Sequence, residues 1–380
     1  MRTRTLAALA ALTVLAAGCT GTGDDGPADG GGTAAPTENE ERQDGGDPPG
    51  AEGSAEVTGT VAEGLDSPWG LVALPDGDLL VTSRDEGIVW RVDAGSGDAE
   101  EAGPVPGVSH GGEGGLLGLA AEPEFEDGGW LYAYLTAADD NRIVRMEYAR
   151  DTGLGEPEVV LEGIPRGDAV HQGGRLAFGP DGMLYAATGD AGEPALAQDE
   201  DSLAGKILRM TPEGEVPEDG NPDPGSVVYS LGHRNVQGLA WDDRDRLWAT
   251  EFGADAWDEL NEIEPGGNYG WPEHEGSGGE ADGYLDPAVE WPPSEASPSG
   301  LTFTQGSLWM ATLRGERLWR IPLDGTGPMA DPQAFFEGEY GRLRSVLAVG
   351  PDELLLLTNE TDTRGAPGEG DDRILRLTVS

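Results

Sequence analysis

The sequence is short of most residue types that nucleophilic and metal chemistry draw on. It has one cysteine, Cys19, one lysine, Lys206, and four histidines in 380 residues. A lone cysteine excludes a disulfide framework, and no Cys/His spacing fits zinc. Lysine Schiff-base chemistry would have to rest on Lys206 alone. Positive charge is equally scarce: 23 Lys and Arg face 72 Asp and Glu, a formal net charge of −49. Such a chain repels nucleic acid and anionic membrane at long range, so neither is an expected partner. No Walker Gly-Lys-Ser/Thr sequence occurs. No apolar run reaches the roughly 20 residues of a membrane span.

What is present begins at the N-terminus. "MRTRTLAALAALTVLAAGC" reads as a basic start, an apolar stretch and small residues before a cysteine, the layout of a secretory signal. "LAAGC" resembles a bacterial lipobox, which implies cleavage at residues 1–18 and a lipid on Cys19. An extracytoplasmic, lipid-anchored location is therefore expected. A plain secretory signal with an incidental cysteine is the alternative. Residues 19–56 are mostly Gly, Pro, Asp, Glu, Thr and Ala, too polar to bury a core, and read as a disordered tether. A folded domain is expected over 57–380.

That domain repeats. Six copies of a meander start at Gly70, Leu116, Gly174, Gly238, Gly300 and Ser345, about 45 to 65 residues apart. Each has a short apolar strand, a Gly/Asp turn, a second strand often ending in Thr, and a further strand. No helical period appears. Radial packing buries both faces of such sheets, which predicts an all-β, six-bladed propeller of four-stranded antiparallel blades. "EVTGTVAEGL", from Glu56, is expected to close the ring with the last copy. A pair of β-sandwiches is the competing architecture.

In a propeller the residues just before each inner strand emerge at one end of the central channel. Here they are Pro68 and Trp69, Glu113, His171, Arg234 with Asn235 and Gln237, Pro298 and Ser299, and Arg342 with Arg344. Arg314 follows a second strand and can reach the same mouth. Several of the chain's few cations thus fall on one rim, which suits a small polyanion, since arginine binds carboxylate or phosphate through paired, charge-assisted bonds. The alternative is that these arginines pair with the chain's own acids. His110, His233 and His274 are singletons with no chemical pattern around them. "EFGADAWDELNEIEPGGNYGWP", from Glu251, offers carboxylates and loop carbonyls of the kind calcium takes.

Five motifs, "GGEGGLLGLAAEPEF", "HQGGRLAFGPDGMLYAATGD", "LGHRNVQGLAW", "DELNEIEPGGNYGWP" and "GRLRSVLAVGPD", resemble the soluble quinoprotein aldose and glucose dehydrogenases. That family uses pyrroloquinoline quinone (PQQ) and Ca²⁺ on a six-bladed propeller. The resemblance runs from about Pro68 to Arg376 and implies oxidation of an aldose at C1. It implies that His171 is the general base and that Arg234 polarises a quinone carbonyl, with Asn235 beside it. Arg314, Arg342 and Arg344 would clamp the cofactor's carboxylates, and Glu113 and Asp190 would touch the cofactor. Gly253 and Ala254 would hold its calcium through their carbonyls, while Glu259 and Tyr269 would serve a further calcium. The chain departs from the family in having Glu113 for glutamine, Ala254 for proline, Arg314 for lysine, and no aspartate directly before His171. Loops that build the glucose-specific pocket and dimer contacts are absent, so a monomer is expected. No haem motif such as Cys-x-x-Cys-His occurs, so electrons would pass to a separate acceptor. Two rivals are a calcium-dependent lactonase or hydrolase, which needs a carboxylate-rich axial metal site, and a non-catalytic cell-surface binding propeller.

Overall fold

The computed structural model describes residues 50–125 and 128–380. The signal sequence, Cys19 and most of the expected tether lie outside the described residues. Six antiparallel sheets succeed one another along the chain. Their inner strands are Pro68–Ala73, Leu116–Ala121, Gly173–Phe178, Val236–Trp241, Pro298–Thr304 and Leu343–Gly350. Each inner strand packs against the next and the last against the first, which closes a ring. The arrangement is the six-bladed propeller that the repeats predict, and it excludes the sandwich pair. Each blade has four strands; the second adds a two-residue strand, Gly153–Leu154.

Two recurrent features of the repeat explain the ring. The glycine of the inner strand lets neighbouring strands approach. A Cβ on Gly118 would lie 2.1 Å from the Gly174 carbonyl oxygen, and one on Gly238 would lie 2.3 Å from that of Ser299. The threonine that ends the second strand is buried in every blade, at Thr82, Thr136, Thr188, Thr250, Thr312 and Thr358. Thr82 donates to the Leu117 carbonyl at 2.8 Å and Thr250 to that of Ser299 at 2.7 Å, each reaching the inner strand of the following blade. Buried hydroxyls need such partners.

Ala55–Ala62 pairs antiparallel with Ile374–Val379, so the first strand of the chain is the outermost strand of the sixth blade. Apolar clusters fill the wedges between blades; one joins Leu80 and Val89 to Leu116, Leu131 and Val144. The inner strands thereby hold their leading residues at one mouth of the axis and their trailing residues at the other.

Candidate active site

His171 stands at the leading mouth with a backbone φ of +57°, a left-handed conformation that is strained for any residue but glycine. Two contacts hold it there. The Glu113 carboxylate accepts the His171 amide at 2.8 Å, and the imidazole Nδ1 lies 2.6 Å from Asp190 Oδ1. Asp190 is fully buried and also accepts the Gly192 amide at 2.7 Å and the Trp271 indole N–H at 2.8 Å. Burial by itself would raise the Asp190 carboxyl. The hydrogen bond and charge of His171, with the Gly192 and Trp271 donors, outweigh it and hold the group below its ordinary range. An ionised Asp190 accepts from Nδ1–H, so Nε2 carries the lone pair. Nε2 has no partner among the described residues.

Trp271 links this pair to Arg234. The Arg234 guanidinium lies over the Trp271 ring, 5.4 Å from its centroid, and Nη1 donates to the Phe252 carbonyl at 3.2 Å. The Arg234 amide is held by Glu251, and its buried Nε has no partner. Asn235 accepts the Gly173 amide at 3.0 Å through Oδ1, fixing the start of the His171 blade.

Lys206 supports the wall behind Trp271. It is fully buried, and its ammonium donates to the carbonyls of Leu196, Ala197 and Ala204 at 2.8, 3.0 and 2.7 Å. The adjacent Gln198 donates to the Trp271 carbonyl at 2.7 Å. Burial lowers the Lys206 ammonium from its ordinary 10.5 to about 8. The unfolded chain therefore binds this proton more tightly between those values. Stability from this group is present above pH 10.5 and is lost as pH falls through about 8. Between pH 8 and 10.5 the stability of the wild type should rise relative to Lys206→Met, as read by denaturant unfolding; parallel profiles would contradict the assignment.

Arginines crowd the centre of the same mouth. Arg342 Nη2 is 2.8 Å from Asp362, and its buried Nε is unpartnered. Arg344 bonds Asn359 at 2.7 and 2.9 Å, Gln237 at 2.9 Å and Asp362 at 3.2 Å. Burial pulls the Arg344 guanidinium down to about 9, which leaves it charged at neutral pH. Burial would raise Asp362, but Arg344 and Arg342 hold it low. One carboxylate thus serves two buried guanidinium groups. Arg84 pairs with Asp85 at 2.7 Å, and Arg364 with Glu113 at 2.9 Å. Pairing with the chain's own acids therefore accounts for some of the cations and leaves the Arg342–Arg344 pair in excess. Arg314 is exposed, and among the described residues its side chain has no partner. Trp69, Glu113, Gln237, Arg342 and Arg344 line one narrow pocket, joined by Asp362 and Arg364, which the sequence reading did not single out.

Of the calcium candidates, Gly253 and Ala254 lie in the loop after Glu251, Glu259 lies on the Asp258–Ile263 strand and Tyr269 in the turn that follows it. The amides of Gly253 and Ala254 are turned inward, to Asp258 at 2.8 Å and Glu275 at 2.6 Å. Their carbonyls accept no donor among the described residues, which leaves two oxygens fit for a hard cation. Glu259 is buried and accepts the Gly276 amide at 2.7 Å and Asn261 Nδ2 at 3.1 Å. Burial, with Glu251 paired across the sheet, pushes its carboxyl up to about 8. Asn261 Oδ1 beside it is a buried acceptor without a donor. Tyr269 donates to the Glu262 carbonyl at 2.6 Å and stacks on His233 at 4.7 Å. Among the described residues no three Asp, Glu, His or Cys side chains converge as a metal site. An axial carboxylate cage of the kind a calcium-dependent hydrolase needs is thus absent from them.

The family model described as Glucose / Sorbosone dehydrogenase matches residues 65–367. The fold is similar to that of the PQQ-bound aldose sugar dehydrogenase of Streptomyces coelicolor, with 61% identity, a TM-score of 0.85, and coverage of 87% of this chain and 100% of that one. Over 222 residues the sequence is 35% identical to the aldose sugar dehydrogenase YliI of Escherichia coli, spanning 55% of this chain and 59% of that protein. Over 247 residues it is 34% identical to quinoprotein glucose dehydrogenase B of Acinetobacter calcoaceticus, spanning 56% of this chain and 51% of that one.

Proposed function

Because the chain belongs to the glucose/sorbosone dehydrogenase family, we propose that it oxidises aldose sugars at C1 to the lactone with PQQ and Ca²⁺ at the leading mouth. It is an oxidoreductase, and electrons pass to a separate acceptor. The observation that carries this reading is the meeting of a carboxylate-oriented imidazole with an under-neutralised pair of arginines on one rim.

The residues fit the cofactor. The buried, unpartnered Nε groups of Arg234 and Arg342 and the cationic excess around Asp362 suit a planar polyanion. When bound, PQQ supplies a two-electron acceptor with adjacent carbonyls and three carboxylates. Arg342, Arg344 and the exposed Arg314 would neutralise the carboxylates, and the free carbonyls of Gly253 and Ala254 would hold calcium. His171 Nε2 takes the proton of the sugar C1 hydroxyl as the C1 hydrogen departs with its electron pair. Asp190 fixes the tautomer and stabilises the imidazolium that forms. Arg234, held over Trp271, places positive charge where negative charge develops.

Reconstituting the purified mature domain with PQQ and Ca²⁺ and following dye reduction by simple aldoses is the test. Sugar-dependent reduction that needs both additions is expected. No bleaching of the quinone absorbance by any sugar would sink the reading and favour a binding propeller.

Glu113 puts a carboxylate near an anionic ligand, and Arg364 offsets it. Arg364 is about half exposed, so the pair is screened. Arg364→Ala should weaken PQQ binding to the apoprotein about two- to fivefold. In a Glu113→Gln background the same change should matter less. Equal effects in both backgrounds, measured by fluorescence titration, would show that the two side chains act separately.

We also propose that lipidated Cys19 anchors the domain to the outer face of the cell membrane, with a monomer as the working unit; the expected tether would then be a spacer that ends before the Ala55–Ala62 strand, a little earlier than residue 56. Incorporation of a fatty-acid label that Cys19→Ser abolishes is expected; a label retained in that variant would remove the anchor.

A further inference from the structure

A spacious cavity lies at the opposite mouth from the chemistry. It measures about 810 Å³ and is lined by the trailing ends of all six inner strands. Leu71, Leu119, Phe178, Leu239, Leu301 and Val346 supply apolar wall. Into it also faces Arg175, whose residue is only 8% exposed.

Arg175 lacks what a buried cation needs. Its Nε donates to the Gln237 carbonyl at 2.7 Å, and its guanidinium lies over the Trp69 ring at 4.4 Å. Nη2 has no partner, and among the described residues no carboxylate forms an ion pair with it. Arg344 approaches the same Trp69 ring, at 5.6 Å, and repels it. Burial pulls the Arg175 guanidinium down to about 9, so it too is charged at neutral pH. Although the chain has 72 acidic residues, none among the described residues pairs with this buried cation. An unpaired buried charge is strongly unfavourable, and a counter-anion from solution would relieve it. Arg175 does not line the narrow pocket that holds Arg342 and Arg344.

We propose that this far cavity is a second ligand site, which takes a small carboxylate with a short apolar tail. The planar guanidinium keeps N–H groups that no protein acceptor takes, which suit a carboxylate, and the leucine walls match a tail. A bare halide would leave the walls unused. A polyanion is disfavoured by Glu122, Asp242 and Asp245 around the opening.

The test uses PQQ-free protein, so it stands whether or not the proposed oxidation does. Thermal unfolding is followed against chloride, acetate and hexanoate at constant ionic strength. Hexanoate should raise Tm saturably by about 2 °C or more, acetate less, and chloride not at all. Arg175→Met should lose the response, and Arg342→Met should keep it. A response to hexanoate no larger than to chloride, or one retained by Arg175→Met, overturns the proposal. Crystals soaked in 6-bromohexanoate locate the ligand without any variant, which covers a failure of Arg175→Met to fold. Bromine anomalous density in the far cavity is expected; density beside Arg342 and Arg364, or none, overturns the site.

Discussion

Replacing His171 with alanine should lower kcat at least a hundredfold while the apoprotein still takes up PQQ. The expectation follows from which atom of the imidazole is free. Nδ1 is committed to a buried, ionised Asp190 at 2.6 Å, so Nε2 presents its lone pair to the rim. General-base action of this kind contributes about 10²–10⁴ in rate. Cofactor affinity should change little, because the guanidinium groups of Arg342 and Arg344 are held by Asp362, Asn359 and Gln237 rather than by His171. Asp190→Asn is the companion variant. An amide at that position can donate to Nδ1 and so favour the tautomer whose Nε2 is protonated. It should lower kcat about 10- to 100-fold within that same general-base range. Stopped-flow reduction of the reconstituted enzyme separates turnover from uptake. A His171→Ala enzyme with near-normal turnover would remove the imidazole from the chemistry, and a parallel loss of PQQ binding would recast it as a structural residue.

The path from sequence to this site was legible wherever the pleat dictates position. Strand starts fall at fixed places in a propeller, so the repeat alone brings Trp69, Glu113, His171, Gln237, Arg342 and Arg344 to one mouth, and the structure gathers them there. Gly118, Gly238, Thr82 and Thr250 of these copies likewise turn out to be points where blades touch. Most of what escaped lies in connections between strands, where no periodicity constrains direction. Asp190, expected to touch the cofactor, is the buried hydrogen-bond partner of His171. It supplies a carboxylate to the imidazole although no aspartate directly precedes His171. Nothing in the spacing around Trp271 marks it, although its indole edge holds Asp190 and its face carries Arg234. Asp362 and Arg364 leave a blade whose strands were read correctly but whose connection folds back over the axis. Arg175 was visible within "HQGGRLAF", but its isolation from every acid is a property of the packed channel, not of spacing.

Arg344→Met should weaken PQQ binding to the apoprotein about 10- to 150-fold, the equivalent of one buried charge-assisted hydrogen bond of roughly 1.5–3 kcal/mol. Arg344 is 4% exposed and already oriented by Asn359 and Gln237, so little ordering remains to be done when an anion arrives. Removing it leaves Asp362 with Arg342 alone, which would turn the local balance from excess positive to neutral. Part of any loss could then come from a reoriented Arg342 rather than from a missing contact. Asp362→Asn separates the two. It keeps a side chain of the same size at the centre of the cluster and removes the opposing charge. If the arginines attract the cofactor by charge, Asp362→Asn should bind PQQ at least as tightly as the wild type. If their value lies in the orientation that Asp362 imposes, binding should weaken. Fluorescence titrations at two ionic strengths give both answers, since these buried groups are screened less by salt than the exposed Arg364. An Arg344→Met Kd within twofold of the wild type would place the carboxylate clamp elsewhere on the rim.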